Sequence, residues 1–249
     1  MRQIIRRAGY RFRKAKVVLT SHDPLYHEKL TNITSILRGL RRDEKFFSVD
    51  EFGPLSIRLR GGVSLLGPGE TKVIPQYQKS KGQLIVTAAL ELSTNQSCHF
   101  YSRSKNTAEM IKLLEELLRT YQAESRIYFS WDAASWHASK ALRKFVDEVN
   151  SPDYRLAHKT PVVELAPLPA SAQFLNVIES VFSGMARAII HNSDYPSVDA
   201  AMAAIDRYFV ERNQHFKVNP RRTGNKIWGQ ERTNTEFAVS NNCKDPAYR

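Results

Sequence analysis

The hydrophobic pattern changes period several times along the chain, and that order of strand-like and helix-like runs restricts the fold more than any other feature. Residues 46–49 are apolar and aromatic, bounded by charges, and end at Asp50-Glu51. Residues 55–59 alternate as a second strand, and a hairpin is expected to join the two. Gly61-Gly62 and Gly67-Pro68-Gly69 mark loops, after which residues 83–92 read as a long strand and 97–101 as a shorter one. The period then switches. Residues 106–122 place Met110, Ile111, Leu114, Leu117 and Leu118 on one helical face behind a cap at Asn106 or Thr107. A buried-strand pattern at 126–131 ends at Asp132, a helix follows at 139–149, and a strand at 162–165 leads into a loop with Pro167 and Pro169. Helices over about 174–191 and 197–213 close the order. Upstream, residues 24–42 repeat apolar positions at helical spacing behind Asp23-Pro24, residues 2–7 read as a short basic helix, and 16–20 as a strand-like run.

Three or four antiparallel strands followed by helix, strand, helix, strand and helix describe a mixed sheet covered by helices. The expected class is α/β, a ribonuclease-H-like mixed five-stranded sheet flanked by helices; sandwiches and bundles do not have this order. With 249 residues, 42% of them hydrophobic and 25% charged, the chain can bury one large core. No apolar stretch approaches the roughly 20 residues of a bilayer span. The basic N-terminus lacks the apolar block of a secretory signal, and Cys98 and Cys243 are far apart without metal-type spacing. A reducing, cytoplasmic setting with no membrane partner is expected.

The net charge of +12 is uneven. Residues 1–45 carry 12 basic and 4 acidic residues, 46–211 carry 17 and 18, and 212–249 carry 8 and 3. Two basic flanks around a neutral middle suit a chain whose flanks hold a polyanion, although a solubilising surface with a basic tail has the same composition. Arg6, Arg7, Arg11, Arg13, Lys14 and Lys16 are the candidates for contact with DNA phosphates, or else a solvated helix face. Trp131, Trp136 and Trp228 each adjoin an apolar element and read as packing groups.

Three acids stand out by position: Asp50 and Asp132 at strand ends and Glu179 on the helix after the proline loop. An acid that ends a buried strand is either a helix cap or a group exposed at the sheet rim, because its charge is costly to bury alone. Two rim acids met by a helix carboxylate would offer the hard oxygen ligands that suit Mg²⁺. Two such ions would assist both the attacking and the leaving oxygen of an in-line phosphoryl displacement. Glu51 adjoins Asp50, but strand side chains alternate, so only one of the pair faces a common site. Asp50 is the choice; Glu51 supports the site from behind or lies at the surface, unless both acids belong to a charged turn after the strand. His137 orients a ligand, contacts a phosphate, or faces solvent in a first helical turn.

At these acids the sequence resembles the catalytic domain of D-D-E transposases of the mariner-like superfamily, particularly their bacterial insertion-sequence branch. Phe47-Ser48-Val49-Asp50-Glu51-Phe52-Gly53 is similar to the strand ending in Asp-Glu, and the segment from Tyr128 through Asp132 to His137 to the Asp-Asn-x-x-x-His segment. Leu165-Ala166-Pro167-Leu168-Pro169 followed by Gln173-Phe174-Leu175-Asn176-Val177-Ile178-Glu179 resembles the Leu-Pro-x-x-Ser-Pro-x-Leu-Asn-Pro-Ile-Glu stretch. Ala133, Ala172 and Val177 depart from the family's Asn and prolines, and the 46 residues between Asp132 and Glu179 exceed the usual spacing, with the excess placed around residues 148–160.

The resemblance implies that Asp50, Asp132 and Glu179 are catalytic and hold two divalent ions, Mg²⁺ or Mn²⁺, while Asn176, His137 and Glu51 support them. It implies cleavage and strand transfer on double-stranded DNA at mobile-element ends, a homodimer in the active complex, and a cytoplasmic, nucleoid-associated bacterial protein. Residues 1–20 are then expected to be the remnant of an N-terminal helix-turn-helix region, 21–232 the catalytic domain and 233–249 a polar tail. The alternatives are a degenerate transposase that only binds DNA through its basic flanks, and a general nuclease of the same fold.

Overall fold

The structure, a computed structural model, describes residues 4, 7–10, 21–132 and 139–224. The expected strand-like run at 16–20, His137, Arg6, Arg11, Arg13, Lys14, Lys16, Trp136 and Trp228 lie outside the described residues. Arg7 is exposed.

Helix α1 (Tyr26–Gly39) leads into strands β1 (Glu44–Ser56), β2 (Gln83–Glu91) and β3 (Ser97–Ser102). Helix α2 (Thr107–Thr120), strand β4 (Arg126–Ser130), helices α3 (Lys140–Val149) and α4 (Pro152–His158) and strand β5 (Val162–Leu165) follow. Helices α5 (Ile178–Met185) and α6 (Val198–Val218) complete the order. The sheet order is β3-β2-β1-β4-β5, with β1–β2 and β2–β3 antiparallel and β1–β4 and β4–β5 parallel. This is the expected ribonuclease-H-like mixed five-stranded sheet.

Alternation along β1 sends successive side chains to two separate cores. Phe46 joins Leu90, Phe182, Ile205 and Phe209 on the face covered by α1, α5 and α6. Phe47 and Val49 join Met110, Leu114, Phe129 and Leu142 on the face covered by α2 and α3. Helix α2 shows why sequence pattern and structure agree here. Asn106 caps it by accepting from the Glu109 N–H at 3.0 Å, and Met110, Leu113, Leu114 and Leu117 are fully buried. Each such side chain contributes about 1.5–3 kcal/mol of apolar burial.

The first strand corrects the sequence reading. The expected hairpin between 46–49 and 55–59 does not form: both stretches lie on one continuous strand or its direct extension, and Asp50 sits mid-strand opposite Ala88. Gly53-Pro54 lies at a bulge rather than a turn, since the β1–β2 register shifts between Phe52 and Leu55. Gly53 adopts φ +122 there, and a Cβ on it would meet the Leu55 N and Leu84 O at 2.9 Å, so only glycine fits. Beyond the bulge the ladder still runs on, with the Ile57 N–H donating to Gly82 O at 2.8 Å.

The stretch read as excess length, 148–160, holds the short helix α4, which has no buried residue and is capped by Ser151. At the far edge of the sheet, α6 is fastened over β3. Tyr101 donates to Asp206 at 2.7 Å, His99 pairs with the same carboxylate at 2.9 Å, and the Asn213 amide bonds both the N–H and the C=O of Ser97. This covers the outermost strand, whose open backbone would otherwise invite pairing with another chain.

Candidate active site

Strand β4 pairs with β1 only as far as Ser48 opposite Ser130. The pairing ends there, and Asp50 and Asp132, each two residues on, keep the same parity. Both therefore point to the α5 side of the sheet, at the carboxyl end of β4. Asp50 is thus a rim residue with respect to β4 although it is interior with respect to β2. Glu51 points to the opposite face; it is buried, which excludes the surface placement among its sequence readings, and its carbonyl accepts from Lys105 Nζ at 2.9 Å.

The expected helix from residue 174 is broken at its start. A single 3₁₀ turn (Gln173–Leu175) ends at Asn176, whose extended backbone (ψ 103) turns its side chain toward β1. The Asn176 amide donates to Asp50 Oδ2 at 2.9 Å, and its carbonyl oxygen accepts from the Ser48 hydroxyl at 2.7 Å. Ser48 Oγ in turn accepts from the Ile178 N–H at 3.1 Å. The residue at the N-cap of α5, Val177, has no capping side chain, so a serine from the central strand satisfies the first-turn N–H of Ile178 instead. Glu179 follows on the exposed side of that first turn, its N–H reaching the Asn176 carbonyl at 3.3 Å.

The loop that delivers Asn176 is itself anchored. The Asp23 carboxylate accepts from the Ala170 N–H at 2.8 Å, the Leu25 N–H at 2.9 Å and Lys29 Nζ at 2.6 Å. Burial raises its pKa, but the hydrogen bonds from Lys29, Ala170 and Leu25 outweigh that and hold the carboxyl below its ordinary value. Sequence reading saw Asp23 as a helix cap and missed its tie to the loop. It also missed Ser48, whose partners lie more than a hundred residues away.

Electrostatically the centre is Asp50. Burial pushes its carboxyl up to about 7, and the charges of Asp132, Glu179 and Glu51 push the same way, against the lowering effect of the Glu51 N–H. Among the described residues no three Asp, Glu, His or Cys side chains stand in position to hold one cation together. The three acids are gathered at one end of the sheet and feel one another's charge, but they stand wider than a closed coordination shell. The donor set is nonetheless of the kind a hard divalent cation takes: three carboxylates, with no thiol among them. A positive charge would offset both the cost of burying a charged Asp50, which is the larger cause of its raised pKa, and its repulsion from Asp132, Glu179 and Glu51, so these residues fit such an ion.

A family model described as DDE superfamily endonuclease matches residues 45–201, a span that includes β1, β4, α5 and all three acids. The chain belongs to the DDE superfamily endonucleases. Among solved structures, this endonuclease chain is similar to a Mos1 transposase paired-end complex with left transposon end, at 16% identity and TM-score 0.57, covering 91% of this chain and 66% of that one. It is similar to the Mos1 mariner paired-end complex with Mn at 17% identity and TM-score 0.54, covering 91% and 64%. The catalytic domain of Mos1 mariner transposase is matched along 100% of its length and 90% of this chain, at 13% identity and TM-score 0.51. These likenesses establish the fold. The endonuclease chain spans about two thirds of the transposase chains in the two complexes. Among curated proteins none matches.

Proposed function

We infer that this endonuclease is the catalytic part of a transposase, which nicks double-stranded DNA at the ends of its mobile element and joins the freed 3′-hydroxyl to target DNA. The observation that carries the reading is the Asp50 carboxyl, buried beneath Asn176 and raised to about 7 by its surroundings, Asp132 and Glu179 among them. A carboxyl whose charge is disfavoured first by burial and then by neighbouring acids is a place prepared for positive charge. The family match and the likeness to mariner transposase complexes support the same reading.

Asp50, Asp132 and Glu179 would hold two divalent cations, Mg²⁺ or Mn²⁺, with Asn176 fixing the Asp50 carboxylate and Glu51 lying behind the strand. The cations, when bound, supply the charge that activates an attacking oxygen and stabilises the leaving one in an in-line displacement. The chain's own contribution is placement: β1 and β4 present two carboxylates in register just past the end of their pairing, and the Ser48–Asn176 link fixes the helix that carries the third. Glu179, being exposed on a first helical turn, has the side-chain freedom to close on an ion that the two strand acids hold. Neither displacement needs a covalent link to the protein. Two copies of the chain would act together, one on each end.

Supercoiled DNA carrying candidate ends, incubated with Mg²⁺ or Mn²⁺, tests this. Nicking is expected from the wild type and is expected to vanish in Asp132→Ala and Glu179→Gln, while the exposed Glu179→Gln change moves stability by less than about 0.5 kcal/mol. Salt-sensitive binding without any metal-dependent nicking, even with the N-terminal DNA-recognition region supplied, would instead favour a chain that only binds DNA.

A further inference from the structure

Beside the acids lies a cleft of about 680 Å³ that the reaction as described above leaves unused. Asn176 and Glu179 form one wall, and Arg212, Arg221 and Arg222 line it from the other elements. The basic side is built, not incidental. Arg212, on the last turns of α6, donates to Asn95 O at 2.8 Å and to the Asn95 side chain, and its guanidinium lies 4.8 Å over the Phe216 ring. No carboxylate among the described residues forms an ion pair with it, and its burial depresses its pKa, as expected for a cation held among neutral partners. After α6 the chain doubles back, and the Thr223 N–H donates to Leu92 O at 2.9 Å, at the end of β2. That bond fastens a short strap which carries the exposed Arg221 and Arg222 to the mouth of the cleft.

We propose that Arg221 and Arg222, backed by Arg212, hold the sugar–phosphate backbone of the DNA strand next to the phosphodiester presented to Asp50, Asp132 and Glu179. This rests on the nucleic-acid reading of the site and assigns to the strap the job of aligning the strand. The chemistry follows from the arrangement. Glu179 repels a phosphate at one wall unless a cation intervenes, whereas the arginines attract one at the other, so a polyanion lying along the cleft has a defined direction. Planar guanidinium groups suit phosphate oxygens, and the aromatic ring under Arg212 keeps one of them oriented. Within the basic C-terminal flank, Arg221 and Arg222 line the same cleft as Glu179.

The test is binding of a fluorescent DNA duplex, followed by anisotropy in chelator over a range of salt concentrations. The proteins are the full chain, R221A/R222A, and K112A/R119A on α2 across the sheet. Losing two phosphate contacts is expected to reduce the slope of log affinity against log salt by about 1.8 on the duplex, with the weakening uniform across sequences. K112A/R119A is expected to keep the wild-type slope, and both variants the wild-type melting temperature. An unchanged slope in R221A/R222A, or an equal loss in K112A/R119A, overturns the proposal. So does saturable inorganic-phosphate binding that R221A/R222A abolishes while DNA binding is untouched, since the cleft would then take a small anion. Because binding is read without metal, failure of nicking sinks the catalytic reading alone, and failure here leaves that reading standing.

Discussion

Asp50→Asn is expected to abolish metal-dependent nicking, by on the order of 10³-fold or more, equivalent to about 4 kcal/mol of lost transition-state stabilisation. The same change is expected to make the metal-free protein more stable at alkaline pH. The folded pKa is about 7, against an ordinary value of 3.8. The fold therefore favours the protonated carboxyl: its stabilising contribution is fully present below about pH 4 and is lost as pH rises to about 7 and beyond. The rise from 3.8 to about 7 corresponds to an upper limit of roughly 4 kcal/mol, and because an amide has one acceptor oxygen where the carboxylate has two, the loss of one hydrogen bond, from the Glu51 N–H or from Asn176, subtracts about 1 kcal/mol. Urea denaturation in chelator is expected to show wild-type stability falling across this range and a flatter profile for Asp50→Asn. Parallel profiles would mean that Asp50 ionises without cost, and that nothing at the sheet end is prepared for a cation.

The second large effect is expected at Asn176. Asn176→Ala leaves the Ser48 hydroxyl without its acceptor and Asp50 Oδ2 without the Asn176 donor in a buried setting, while Oδ1 keeps the Glu51 N–H. Stability should fall by about 1–3 kcal/mol. Because Asn176 also sets where α5 begins, Glu179 moves with it, and a displacement of an ångström is enough to cost about 10²-fold in rate. Asn176→Asp separates shape from charge. It keeps the size of the side chain but sets a fourth carboxylate against Asp50, so its stability should recover as pH falls, whereas the alanine variant's deficit should persist. Denaturation midpoints at two pH values, with nicking rates alongside, distinguish the outcomes; equal deficits for the two variants at both pH values would assign Asn176 a packing role only.

The sequence carried the sheet further than it carried the site. Strands β2, β3, β4 and β5 and helices α2 and α3 are where periodicity placed them, because each is long or apolar enough for its pattern to decide its face. Asp132 follows β4 as read. Strand β1 was misjudged beyond Glu51 because two acids and a Gly-Pro pair look like a turn, while the antiparallel partner β2 absorbs them into a bulged strand. The break before α5 was also hidden. Residues 174–191 have a helical apolar pattern throughout, but the hydrogen bonds that Asn176 accepts from Ser48 and donates to Asp50 outweigh local propensity and start the helix at Ile178. Ser48 itself gives no signal, since a small polar residue in a strand ordinarily faces nothing in particular. The strap that brings Arg221 and Arg222 to the cleft depends on one backbone hydrogen bond to β2, which no local pattern encodes.

Titration of Mn²⁺ into the metal-free chain, followed by electron paramagnetic resonance, measures the central claim without relying on DNA or turnover. The wild type is expected to take up two ions, and Asp50→Asn, Asp132→Asn and Glu179→Gln each to weaken uptake by at least about tenfold, roughly 1.4 kcal/mol. Uptake of equal affinity and stoichiometry in all four proteins would contradict the assignment of these three acids to one metal centre.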